Sequence, residues 1–121
     1  MNGTTIWIQF MTTFNKWDIV LVPFPFTDLS STKKRPALVI SPDKYNAMDD
    51  LVIAFITSNL QGIERYGDYL IEQWKQAGLP LPSILRMKFA TVSKDIIVKK
   101  IGHVENNDQK HISRLLQKFF S

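Results

Sequence analysis

Residues 33–41 read KKRPALVIS, three cations followed by a proline and a short apolar run. The run at 36–41 is rich in β-branched residues and apolar on both faces, which predicts a buried strand. The same pattern occurs in WDIVLVPF at 17–24 and in LVIAFITS at 51–58. Three such runs in the first half of the chain predict a β-rich domain.

The segments between these runs contain residues that interrupt regular structure. Pro23 and Pro25 have no N–H to donate, so they predict the end of the first strand's pairing. Residues 27–34, TDLSSTKK, have the composition of a mobile surface loop. The proline-containing segment at 73–83 is expected to form neither a regular helix nor a central strand.

The second half of the chain predicts three further strands, at 67–72, 83–92 and 96–104. In the second of these, polar and apolar residues alternate, which puts Arg86 and Lys88 on one face. Together with the first three runs, this gives five or six short strands.

The last segment has the period of an amphipathic helix. Apolar side chains recur at helical spacing at Ile112, Leu115, Leu116, Phe119 and Phe120. Asn106 and Gln109 resemble a capping box, which predicts a helix start near Asn107. The connections are too short for crossover helices, so we expect a small, mostly antiparallel barrel with a C-terminal helix.

Composition limits the possible functions. The chain has 121 residues, a net charge of +4 and a pI near 9.4, which weakly favours polyanionic partners. It has no Cys, so disulfides, thiolate metal sites and a Cys nucleophile are excluded. We therefore expect a cytoplasmic protein, without a membrane span or a secretory signal.

The patterned sequence begins near Asn15. We expect residues 1–14 to form a poorly ordered N-terminal extension. Residues 15–121 are expected to form one domain, because their number is typical of a single domain.

The junction of the polar loop and the second strand is the first candidate site. Lys33, Lys34 and Arg35 create a positive potential that attracts phosphates. Pro36 restricts Arg35 to extended conformations, so the planar guanidinium projects from a defined point. The alternative is a set of ordinary solvated surface cations.

Polar side chains at the end of the third strand form a second candidate. Thr57, Ser58 and Asn59 could donate hydrogen bonds to a phosphate. Alternatively, they form a turn in which the hydroxyls bond to nearby backbone.

Arg86 and Lys88 form a third candidate, because two cations on one strand face can extend a phosphate-binding track. A solvent-facing pair that blocks edge-to-edge aggregation explains the pattern equally well. His103 or His111 could serve as a general base by pKa, but neither has a partner pattern in the sequence.

Three blocks resemble the MazF/PemK family of toxin–antitoxin endoribonucleases. They are DIVLVPFPFTD at 18–28, KKRPALVIS at 33–41 and IAFITSN at 53–59, in this order and spacing. PSILRMKFATVSK at 82–94 and IGHV at 101–104 are similar to the family's later half. The resemblance covers about residues 16–120.

The resemblance implies an SH3-like barrel, a homodimer and cleavage of single-stranded RNA without a metal or other cofactor. It implies catalytic roles for Arg35 and Thr57 and an RNA-binding role for Arg86; Lys33, Lys34, Ser58, Asn59 and Lys88 complete the expected RNA contacts. It also implies a partner, an antitoxin whose C-terminal tail blocks the RNA site.

The chain departs from the family pattern at Trp17, where a glycine usually precedes the first strand. The loop at 27–34 also lacks the Glu-Gly pair of many members, which leaves the cleavage sequence open. Two alternatives remain: a toxin of the same fold that poisons DNA gyrase, as in the CcdB group, and a catalytically silent RNA-binding barrel.

Overall fold

The computed structural model of the protein describes residues 13–24 and 33–121. The strands among these residues are β1 (Asp18–Pro23), β2 (Lys34–Val39), β3 (Asp50–Thr57), β4 (Tyr69–Leu70), β5 (Ile84–Ser93) and β6 (Lys99–His103). The helices are α1 (Asp43–Asn46), a 3-10 turn (Lys94–Ile96) and α2 (Asn106–Phe119). No helix in the described ranges is long and apolar enough to span a membrane.

All strand pairs are antiparallel, in the order β4-β5-β3-β2-β1-β6. The sheet curls into a half-barrel, which confirms the prediction of a mainly β fold with a C-terminal helix. The turn segment at 72–79 packs against β6, where the N–H of His103 donates to the carbonyl of Ala77 over 3.1 Å. A Cβ on Gly102 would lie 1.7 Å from that carbonyl oxygen, so this approach requires glycine.

The sheet buries apolar side chains on both faces, because alternate residues of a strand point to opposite sides. One cluster joins Ile19, Leu38 and Ala54 to Ile112 of α2. The other cluster contains Val20, Val22, Ala37, Val39, Leu51 and Ile53 from the opposite face of the same strands. Arg35 and Thr57 continue the second face further along β2 and β3, because each lies two residues from a member of that face.

A buried carboxylate fixes α2 against the sheet. Asp108 is fully buried and accepts hydrogen bonds from the Tyr69 hydroxyl and from the N–H groups of Glu72 (3.1 Å) and Gln73 (2.9 Å). Burial, followed by the bond to Asp108 and its charge, raises the pKa of Tyr69 well above the ordinary value. The buried end of α2 is therefore held by polar contacts as well as by apolar packing.

The predicted capping box is wrong, because the Gln109 side chain makes a different local hydrogen bond at the start of α2. Glu105 is the N-cap and makes no side-chain capping bond, while the Gln109 amide donates to the carbonyl of Val104 over 2.8 Å. Ile112 is buried as predicted, but Phe119 and Phe120 at the end of the apolar stripe are 36% and 66% exposed.

Strand boundaries differ from the predictions at three places. Pairing continues past Pro23, because the N–H of Phe24 donates to the carbonyl of Lys33 over 2.8 Å, and Lys34 already belongs to β2. Pro25 and the loop residues at 27–32 lie outside the described residues.

The other two differences concern strands that are shorter than predicted. Of residues 67–72 only Tyr69–Leu70 pair. The strand predicted at 96–104 begins at Lys99, because the preceding residues form the 3-10 turn, at which Ser93 Oγ accepts from the N–H of Asp95 over 3.2 Å.

The chain enters β1 through Trp17, whose φ is +80°, a conformation that favours glycine. Two bonds hold it: the Trp17 N–H donates to the carbonyl of Val39 (2.8 Å), and its carbonyl accepts from the N–H of Val104 (2.9 Å). At this position, where the sequence departs from the glycine of the family pattern, two backbone hydrogen bonds hold a tryptophan at positive φ.

The division into an extension at 1–14 and a domain at 15–121 stays a prediction, and residues 1–12 lie outside the described residues. Phe14 falls before the predicted boundary, yet its side chain is 8% exposed and packs in the second cluster.

Candidate functional site

Two adjoining clefts share the side chains of Arg35, Ile56 and Thr57. We call the larger, of about 370 Å³, the first cleft and the smaller, of about 200 Å³, the second cleft. The first is also lined by Phe24, Phe55, Asn59, Gly62, Ile63, Arg65, Arg86 and Lys88. The second is also lined by Lys33, Lys34, Pro36, Ser58, Leu79, Pro80, Leu81 and Ser83.

The register of the sheet explains why Arg35 and Thr57 meet. Ala37 on β2 lies opposite Phe55 on β3 in an antiparallel pair. Arg35 and Thr57 each lie two residues further along in the same direction, so the continued register brings them opposite each other on one face. Two residues 22 positions apart in the sequence thereby share both clefts.

Arg35 presents its guanidinium over an aromatic ring. The guanidinium carbon lies 4.9 Å from the centroid of the Phe24 ring. Its Nε is buried and has no hydrogen-bond partner among the described residues. A buried donor without a partner is costly, so this N–H is suited to an acceptor that a ligand brings.

Thr57 takes part in a turn and still has a proton to donate. Its Oγ1 accepts a hydrogen bond from the N–H of Asn59 over 3.1 Å, as the turn alternative predicts. Accepting that bond does not use the hydroxyl proton, because a hydroxyl is both donor and acceptor. The turn therefore orients Thr57 without removing its ability to donate into the cleft.

Arg86 and Lys88 both line the first cleft, at an irregularity in the β3–β5 pairing. The register shifts between Ala54 and Ile56, so that Phe55 lies opposite a bulge in β5. The Arg86 side chain is 14% exposed and lies 3.9 Å from the Asp68 carboxylate, so Arg86 is not a solvent-facing edge charge. Lys88 is exposed, with its ammonium 5.5 Å from the centroid of the Phe55 ring.

Sequence reasoning missed the cleft residues Arg65, Ile63, Phe24 and Phe55. Arg65 lies in an irregular loop, and no periodic pattern indicates where such a loop turns. Asp68 fixes the loop by accepting from the N–H of Arg65 over 2.9 Å. These positions follow from tertiary contacts, which explains why no pattern marks them.

The charged side chains that line the two clefts are all cationic among the described residues. Cationic side chains at six positions line them: Lys33, Lys34, Arg35, Arg65, Arg86 and Lys88. Among the described lining residues there is no Asp, Glu or His. A concave surface with this charge concentrates anions such as phosphate groups.

The two histidines lie outside both clefts. The Nδ1 of His103 is 2.8 Å from Asp18 Oδ1, and Lys100 Nζ is 2.9 Å from Asp18 Oδ2. Burial alone would raise the pKa of Asp18, but bonds from the Asn15 N–H, His103 and Lys100 outweigh it and lower that pKa. His111 stacks on the Tyr69 ring at a centroid distance of 5.8 Å.

Within residues 13–24 and 33–121, no three or more His, Cys, Asp or Glu side chains cluster in a way that could hold a metal ion.

Comparison with known proteins adds a family match. The sequence model of one family, described as PemK-like, MazF-like toxin of type II toxin–antitoxin system, matches residues 15–120. The comparison with curated proteins returned no match.

Several solved structures share the fold. A MazE–MazF complex from Deinococcus radiodurans aligns with a TM-score of 0.69 at 14% identity, covering 91% of this chain and 97% of that chain. An endoribonuclease in complex with its cognate antitoxin, from a mycobacterial species, aligns with a TM-score of 0.68 at 15% identity, covering 87% and 92%. A MazF toxin of Mycobacterium tuberculosis gives 0.67 at 16% identity, covering 85% and 95%. At these identities the likeness establishes the fold alone.

Proposed function

The chain belongs to the PemK-like, MazF-like toxins of type II toxin–antitoxin systems, and from this premise we propose that it is an endoribonuclease that cleaves single-stranded RNA at a short sequence. One arrangement carries the proposal: Arg35 and Thr57 line both of two adjoining, cation-rich clefts. Such a surface attracts the phosphates of a nucleic acid backbone. An arginine fork and a hydroxyl at one point can hold a single phosphate.

The proposed reaction is an attack by the RNA's own 2′-hydroxyl on the adjacent phosphorus. A bond forms between the 2′-oxygen and phosphorus while the bond to the 5′-oxygen breaks. The 2′-hydroxyl loses its proton and the leaving 5′-oxygen gains one, which gives a 2′,3′-cyclic phosphate and a 5′-hydroxyl. DNA lacks the nucleophile, so the reaction is specific for RNA.

Arg35 and Thr57 stabilise the charge that develops on the phosphoryl oxygens. An arginine guanidinium is a permanent cation, and the Nε–H of Arg35, which has no hydrogen-bond partner among the residues that the structure describes, donates to an oxygen of the phosphate. The Thr57 hydroxyl, oriented by the Asn59 N–H, donates to the same group. Lys33, Lys34, Ser58, Asn59, Arg86 and Lys88 hold the flanking RNA. The mechanism uses no metal or other cofactor.

The proposed partners follow from the family. The chain acts as a cytoplasmic homodimer, and a cognate antitoxin covers the clefts with its C-terminal tail. The solved complexes of an endoribonuclease with its antitoxin and of MazE with MazF support this partner. A sedimentation experiment that finds a stable monomer at high concentration would contradict the dimer.

A second candidate is the gyrase poison. It is favoured by one observation: Phe119 and Phe120 are exposed at the end of α2, where such a toxin needs side chains that insert into its target. A gyrase poison blocks DNA supercoiling and leaves RNA intact. A silent RNA-binding barrel binds RNA in a salt-sensitive way without cutting it.

One assay separates these functions. The purified protein is incubated with long single-stranded RNA in EDTA, and the cut sites and end groups are mapped. We expect cuts at a short sequence that leave cyclic phosphates, with a rate about 100-fold or more lower for Arg35→Ala. Arg114→Ala, which alters an exposed arginine on α2 outside both clefts, is the matched control. Cleavage by Arg35→Ala within about threefold of the wild type would contradict the role of Arg35.

A further inference from the structure

We infer that the second cleft is a separate nucleotide subsite, so that RNA crosses Arg35 and Thr57 with one nucleotide in each cleft. The inference rests on the proposed function and extends it to four residues to which neither the sequence patterns nor the family blocks assign a role: Leu79, Pro80, Leu81 and Ser83.

The two clefts adjoin each other at Arg35 and Thr57. Arg35, Ile56 and Thr57 line both clefts, so a phosphate held between the guanidinium and the hydroxyl has one cleft on each side. The chain of a nucleic acid continues in both directions from any internal phosphodiester. The nucleotides before and after that phosphate therefore meet different walls.

The second cleft is lined by cationic side chains. Lys33, Lys34 and Arg35 line it, and its described lining residues include no acid. This positive charge fits an occupant that carries phosphate groups better than it fits an apolar peptide or a cationic partner.

The second cleft is also lined by three apolar residues, Leu79, Pro80 and Leu81. Leu81 is 54% exposed although it lies in a cation-lined cleft, so its apolar surface is available to the flat face of a base. The neighbouring chain is well held: Ser83 Oγ donates to the carbonyl of Leu81 over 2.8 Å, and Leu79 is 4% exposed. Pro80 and Pro82 further restrict the backbone around Leu81.

The first cleft offers a different surface. It has about twice the volume, two aromatic rings and the side chain of Ile63, which is 87% exposed. Because the two walls differ in size and chemistry, each should discriminate between bases on its own side of the cut.

The test measures base preference on each side of the cleavage point. Wild type, Leu81→Ala and Ile63→Ala each cleave an RNA pool with randomised positions, and the fragment ends are sequenced. Leu70→Ala is the matched control, because Leu70 is 56% exposed on β4 and lines neither cleft. Leu81→Phe, which enlarges the apolar surface, serves as a second variant, and thermal unfolding checks that every variant folds.

We expect Leu81→Ala and Leu81→Phe to change base preference about fivefold or more on one side of the cut only. Ile63→Ala should change it on the other side, and Leu70→Ala on neither. If the Leu81 variants leave both sides unchanged, or alter the same side as Ile63→Ala, the two-subsite inference is overturned while the nuclease function stands. A wild-type protein that leaves the pool intact overturns both.

Discussion

The guanidinium of Arg35 stacks on the ring of Phe24, with 4.9 Å between the guanidinium carbon and the ring centroid. Phe24 lies just after β1, and Arg35 pairs with Val22 in the neighbouring strand. The ring therefore fixes the direction in which the buried Nε–H of Arg35 points, and this N–H has no hydrogen-bond partner among the described residues. This contact links the end of one strand to the residue that we expect to act on the phosphate.

Replacing Phe24 by Leu should lower kcat more than it changes KM. A cation–π contact contributes about 0.5–2 kcal/mol, which corresponds to about a 2- to 30-fold loss in rate if it is used to orient Arg35. Phe24→Tyr keeps the ring and should retain most of the activity. Steady-state kinetics on an RNA with one cut site measures both. Equal losses in the Leu and Tyr variants would argue against the stacking role.

Asp108→Asn should destabilise the fold. The buried carboxylate accepts three hydrogen bonds, and the amide cannot accept at both positions, so a buried N–H or hydroxyl loses its partner. We expect a loss of about 1–3 kcal/mol in the free energy of unfolding, measured with urea. Asn107→Ala, at an exposed neighbouring position, is the control and should change it by no more than about 0.5 kcal/mol. Equal stabilities of the two variants would contradict the assigned role of Asp108.

Asp18 should make stability depend on pH in the acid range. Its pKa is lower in the folded protein than in the unfolded chain, because the bonds from the Asn15 N–H, His103 and Lys100 outweigh its burial. The stabilisation of the fold by ionised Asp18 is therefore complete above its pKa in the unfolded chain, about 4. It is lost as the pH falls through its pKa in the folded protein. Asp18→Asn should show a shallower decline below about pH 4 when unfolding is followed from pH 7 to pH 2. Parallel curves for the two proteins would exclude this linkage.

Because the φ of Trp17 is positive, we expect a glycine at this position to give a more stable protein than an alanine. Both Trp17→Gly and Trp17→Ala lose the packing of the partly buried ring, but only glycine adopts φ near +80° without strain. We expect Trp17→Gly to be more stable than Trp17→Ala by about 1 kcal/mol. The two stabilities are compared by thermal or urea unfolding. A more stable alanine variant would show that the backbone hydrogen bonds of Trp17 to Val39 and Val104 do not impose a positive φ.

Much of the architecture could be predicted from local patterns. Alternation and β-branched runs indicate β1, β2, β3 and β5, since each is long enough to show its period. The two-residue strand β4 and the shortened β6 could not be bounded, because their ends depend on tertiary contacts such as the 3-10 turn before β6.

Within the site, the strand patterns mark Arg35 and Thr57 as candidates because each lies at the end of a recognisable strand, but only the family resemblance favours a catalytic role over a solvated cation and a turn. Arg65 and Phe24 do not, since their positions depend on a loop and on a side chain that stacks across strands. Asp108 was missed for a similar reason: its partners lie 35 to 39 residues earlier in the chain.

Arg35 and Thr57 are proposed to act on the same phosphate, which a double-mutant cycle can test. Single-turnover cleavage rates are measured for the wild type, Arg35→Ala, Thr57→Val and the double variant, with Thr57→Ser as a control that keeps the hydroxyl. We predict a loss of about 100-fold or more for each single variant, and a double variant that loses clearly less than the product of the two. Losses that multiply fully, or a single variant that cleaves within about threefold of the wild type, would contradict the claim.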